Sequence, residues 1–153
     1  MISTPCPVDL HAWAFDQAAL LRAGRFDELD YANLALELEV MGRSQRRELV
    51  SRLAILLVHL LKWRHQPERR SRSWRIMIQI QWSDLTDLLE ESPSLQGVWS
   101  ESMLKAYNKA RLLAAGETGL PEATFPSSAP WNQEEMAREC LGLEGSRGDD
   151  HHY

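Results

Sequence analysis

Arg52 and His59 are the first pair in this chain whose types and spacing suit chemistry. Seven residues are two helical turns, so on a helix both side chains share one flank. A histidine can move a proton near neutral pH, and an arginine can hold a phosphate oxygen. The plainer reading is a histidine hydrogen-bonded to a carbonyl or carboxylate beside an arginine in an ion pair. It is preferred because His59 interrupts an otherwise apolar run, Leu53 to Leu61. A second set is Asp30, Asn33 and Glu37, spaced i, i+3 and i+7, which His59 could face from an adjacent helix. Helical bundles build metal centres from such groups. The Glu-x-x-His motif is missing, however, and acids near a helix start usually serve its cap and dipole. No metal and no cofactor is expected.

The third set is a basic connector, Lys62, Arg64, Arg69, Arg70, Arg72 and Arg75, with Trp63, His65 and Trp74 interleaved. Arginines beside stackable aromatics can hold single-stranded nucleic acid. Arginine equally suits forked pairing to carboxylates, and both tryptophans fall on core faces. A net charge of −5 repels nucleic acid outside this patch. The connector is therefore read as a structural junction whose partners are the acids Asp27, Glu28, Asp30, Glu37 and Glu39. Glu117-Thr118-Gly119 reads as a helix ending that satisfies its own backbone. Glycine-rich phosphate loops and zinc spacings are missing from the sequence. Leu36, Val40, Ile80 and Trp82 lie off the apolar stripes and are read together as a patch for a protein partner or a second copy.

The elements that must carry these groups are helical. Leu10, Trp13, Ala14, Gln17, Leu20 and Leu21 recur at helical spacing over about 9–22, and Gly24 offers a left-handed stop. Asp27 or Asp30 should cap a second helix with a Tyr31, Leu34, Leu38, Met41 core stripe, ended by Gly42. Ser44 should cap a third helix, about 45–64, apolar nearly all round and central. The segment Arg75 to Trp82 alternates like a strand, but no other stretch offers a pairing partner, so helix is expected. Ser92-Pro93 should open a helix running to about Ala115, closed by Gly116. A proline-rich strap, 117–131, follows, and Asn132 with Glu135 forms a capping box for a short last helix. The expected fold is all-α, a compact bundle of four to five main helices within one domain, 9–141. Residues 1–8 and 142–153 are read as a flexible lead and tail.

Length and composition agree. With 153 residues, 44% hydrophobic and 25% charged, the chain has the make-up of one globular domain. Cys6 and Cys140 lack metal spacing, and the start, Met1 to Pro7, lacks a secretory pattern, so a cytoplasmic protein is expected. The longest apolar run is too short for the roughly 20 residues of a spanning helix, so no membrane association is expected. Charge is divided: residues 43–75 carry ten Lys or Arg and two Glu, and the remainder is strongly acidic.

Three stretches then fall in a recognisable order. They are Arg22-Ala-Gly-Arg-Phe-Asp-Glu-Leu-Asp30 with Gly42-Arg-Ser44, His59-Leu-Leu-Lys-Trp63 with Gln66-Pro-Glu-Arg-Arg-Ser-Arg-Ser-Trp74, and Glu117-Thr-Gly-Leu-Pro121 with Phe125-Pro126 and Pro130-Trp131. This order resembles the bacterial domain-of-unknown-function-29 family over about residues 9–141. The resemblance implies a compact helical bundle and no assigned activity. The family pattern has an acidic residue where this chain has Leu36, and polar residues at Ile80 and Trp82. Arg52 with His59 is also similar to the Arg-x6-His spacing of HEPN-type ribonucleases, which implies a metal-independent RNA-cleaving alternative. The expectation preferred over both ribonuclease and metal- or nucleic-acid-binding bundle is a non-enzymatic protein-interaction module.

Overall fold

The computed structural model describes residues 9–143. Five helices carry most of that span: α1 (Leu10–Arg22), α2 (Tyr31–His65), α3 (Arg72–Glu91), α4 (Trp99–Thr118) and α5 (Gln133–Gly142). The described residues contain no strand, so the fold is an all-α helical bundle. No described helix is long and apolar enough to cross a membrane. The expected lead, 1–8, and tail beyond 143 lie outside the described residues. The chain gathers into two compact units, one ending at Gln45 and one beginning at Arg46.

In the first unit, Asp9 opens α1 by accepting the Ala12 N–H at 3.0 Å. Gly24 turns the chain with φ +72°, a conformation that costs glycine little. Asp30, of the two acids expected to cap α2, is the one that does so. Its Oδ1 accepts the Asn33 N–H at 3.4 Å, and its Oδ2 accepts the Asn33 amide at 2.7 Å and the Trp13 indole N–H at 3.1 Å. Gln17 Oε1 accepts the Asp30 N–H at 2.9 Å, and both Gln17 and Asn33 are buried. A polar cluster, not an oily one, thus joins α1 to the start of α2.

The expected break at Gly42 does not occur: α2 is one helix of 35 residues, with Gly42 and Ser44 inside it. Gly42 lacks the positive φ of a stop. A lone glycine costs a helix only about 1 kcal/mol relative to alanine, which flanking helix formers such as Gln45, Arg46, Arg47 and Glu48 can outweigh. The expected core stripe is also corrected. Tyr31, Leu38 and Met41 are 61%, 65% and 64% exposed, and the buried residue of this stretch is Asn33.

In the second unit α2 becomes the centre, with Leu49, Leu53, Leu56, Leu57, Leu60 and Leu61 fully buried. Ser71 caps α3 by accepting the Trp74 N–H at 3.2 Å, and Ile78, Leu85, Leu88 and Leu89 face inward. Pro93 begins a 3-10 turn, Pro93–Val98, before α4 starts at Trp99. The buried face of α4 is Trp99, Met103, Ala106, Tyr107, Ala110 and Ala114, whereas Leu113 is exposed. Gly119, not Gly116, closes α4 with φ +72°, its N–H donating to the Ala115 carbonyl at 3.0 Å. The strap that follows makes one 3-10 turn, Glu122–Thr124, and buries Phe125 and Trp131. α5 has the expected capping box: Asn132 Oδ1 accepts the Glu135 N–H at 2.8 Å, and Glu135 Oε1 accepts the Asn132 N–H at 3.3 Å.

Candidate functional site

Arg52 and His59 both sit on α2, about 10 Å apart along its axis. The His59 Nδ1–H donates to the Ile55 carbonyl at 2.8 Å, so its tautomer is set by its own helix. Arg52 donates through Nε and Nη2 to Glu48 Oε1 at 3.0 and 2.7 Å, and its Nη1 lies 3.7 Å from Asp84 Oδ2. The guanidinium thus sits between two carboxylates, one of them on α3.

Asp30 spends its carboxylate on Asn33 and Trp13. Donation by the Asn33 amide holds it below the usual carboxylate range, against an opposing effect of desolvation. Among the described residues, no three His, Cys, Asp or Glu side chains gather closely enough to hold a metal ion. Glu117-Thr118-Gly119 is a helix ending: Thr118 Oγ1 donates to the Ala114 carbonyl at 2.7 Å and accepts the Leu120 N–H at 3.2 Å. Leu36, Val40 and Ile80 are exposed, whereas Trp82 is half-buried against the core.

The basic connector is an aromatic junction. Lys62 lies 5.1 Å from the Trp74 ring, Arg64 5.1 Å from the Trp131 ring and Arg70 5.0 Å from the Trp63 ring. Arg70 Nε also donates to the Trp63 carbonyl at 2.7 Å. The acids it meets are Glu117, 3.2 Å from Lys62, and Glu139, 3.9 Å from Arg64. Both come from far along the chain, Glu117 from the last turn of α4 and Glu139 from α5. Arg69, Arg72 and Arg75 form no ion pair among the described residues, and Arg69 and Arg72 are exposed.

Sequence reasoning counted His65 only among the aromatics of the connector, whereas in the structure it packs against the strap. Its ring meets Phe125 edge-on at 4.9 Å, and its Nε2 is buried without a protein partner. Burial pushes the imidazole below its usual 6.5, and the neighbouring Arg64 charge adds to this. Around it, Tyr107 O–H donates to the Pro126 carbonyl at 2.5 Å, Arg111 lies 3.5 Å from Glu122, and the Trp131 indole donates to Glu139. Because the folded state disfavours the imidazolium, unfolding takes up a proton. The penalty is absent above the unfolded pKa and grows as pH falls below it. Melting curves should therefore show the advantage of wild type over His65→Gln narrowing between about pH 7 and 5.5. A gap that stays constant would rule this out. Cys140 is sealed in the core and its thiol is pushed up to about 12 by burial, which removes it as a nucleophile.

Two cavities open on the second unit. One, of about 330 Å³, has a floor of Trp99, Met103, Tyr107 and Trp131 under a rim that includes Asn108 and Ser127. The other, a groove of about 490 Å³, is lined by Trp82, Leu89 and Glu90 from α3, Gln133 and Glu134 from α5, and Gln96. No periodicity in the sequence joins positions 82 and 134; only the packing of α3 on α5 does so.

A family model described as "Domain of unknown function DUF29" matches residues 7–140, and the chain belongs to that family. No curated protein and no solved structure matches it.

Proposed function

We propose that this member of the family is a non-enzymatic module that works by protein contact, through the first half of α2. The supporting observation is the row Tyr31, Leu34, Leu38, Met41, whose alternating steps of three and four are those of a coiled-coil seam. Leu34 is half-buried, while Tyr31, Leu38 and Met41 stand more than three-fifths exposed. Phe15 and Phe26 of the same unit are exposed as well. Uncovered apolar surface of this kind marks contact sites. The partner that suits such a seam is another amphipathic helix, supplied by a second protein or a second copy.

The test is light scattering and partner capture on wild type and on Leu38→Glu/Met41→Glu. The expected result is association by wild type that the double variant loses while keeping its helical circular dichroism. Wild type that stays a single chain at high concentration, together with a partner set the double variant leaves unchanged, would overturn the reading.

A further inference from the structure

We infer that the groove between α3 and α5 is a docking site for a basic peptide segment, with a lysine or arginine side chain laid against Trp82. This surface is separate from the α2 seam. Trp82, Leu89 and Ala137 give the groove an apolar floor. Long basic side chains cover apolar surface with their stems, and their cations favour an indole face.

Glu90 and Glu134 line the same groove from different helices. Glu90 forms no ion pair among the described residues, and Glu134 has only Arg138, 3.8 Å away on its own helix with both side chains exposed. The backbone adds to the effect of Glu90. The last turn of α3 holds Glu90 and Glu91 and no basic residue, so two negative charges sit at the negative end of the helix dipole. That placement disfavours the helix, and a cation resting there relieves the carboxylates and the helix end together. The start of α5 is already answered by the Asn132 cap and by Glu134 and Glu135. Gln96 and Gln133 complete the lining. Each amide both donates and accepts, which matches a peptide backbone; a free polyamine offers donors alone.

Fluorescence anisotropy with a labelled trilysine peptide and the full chain tests this. Glu90→Gln/Glu134→Gln should weaken binding about tenfold, from two partly exposed charge pairs. Trp82→Leu should weaken it about threefold and Trp82→Phe less, as expected of a cation over a ring. Glu68→Gln/Glu101→Gln, which makes the same charge change outside the groove, should bind as wild type does. Melting curves confirm that each variant is folded. The proposal is overturned if the groove variant binds as wild type does, or if the control loses as much. It is also overturned if spermidine displaces the peptide at equal concentration, which would assign the groove to a free polyamine. None of these variants touches the α2 seam, so light scattering on the same samples separates the two readings.

Discussion

Leu57→Ala should lower stability by about 3 kcal/mol, within the usual 2–5 for a buried leucine. Leu57 is 0% exposed and stands among Leu53, Leu56, Leu60 and Leu61, all equally buried. Truncation removes apolar contacts and leaves a cavity that neighbouring helices cannot close without moving their own packed side chains. For a chain of this size the melting temperature should fall by about 2–4 °C per kcal/mol. Ile55, two residues away on the same helix, is 50% exposed. Ile55→Ala should cost less than about 1 kcal/mol, since half of its surface never left water. Urea titration followed by circular dichroism measures both. Equal effects at the two positions would mean that α2 does not occupy the centre of the second unit.

Phe125→Ala should also cost about 3 kcal/mol or more, in line with large aromatic truncations, and should act locally as well. Phe125 is only 2% exposed, and its ring covers His65. Trp131 is buried at the strap's far end, and the fastenings nearer Phe125 are single polar contacts, among them the Tyr107 hydrogen bond to Pro126 and the Arg111–Glu122 pair. Burial pushes the Tyr107 phenol up, so it stays protonated and keeps donating. Tyr107→Phe should therefore cost only about 1 kcal/mol, one ordinary hydrogen bond. Removing Phe125 lets water reach His65, so its imidazole should titrate closer to its usual range. Thermolysin should cut the strap of Phe125→Ala faster than that of wild type, and the pH dependence assigned to His65 should flatten. A strap resistant to cutting and a pH profile unchanged from wild type would show that Phe125 is not the anchor.

Much of this architecture was legible along the chain, because helix formation is local. The spacing of Leu49, Leu53, Leu56, Leu57 and Leu60 marks the central helix, and the Asn132–Glu135 capping box marks the start of α5. Gly24 was legible as a left-handed turn, and the prolines marked the strap between the last two helices. Misreadings came where two local signals compete. Gly42 carries the same residue type as Gly24, but only the backbone conformation separates a stop from a tolerated glycine. At the end of α4 the choice between Gly116 and Gly119 turned on which of them takes the left-handed turn.

The sequence by itself determined the helical class, the order of the elements and the basic and acidic division, since these rest on neighbours within a turn or two. Tertiary structure alone decided what those charges and rings meet. It placed Arg52 between Glu48 and Asp84, stacked Arg64 on Trp131, hid His65 under Phe125 and brought Glu134 to the groove of Trp82. Apart from the i,i+4 pair of Glu48 with Arg52, such pairings join residues tens of positions apart, where burial and packing geometry choose the partner and no spacing rule along the chain applies.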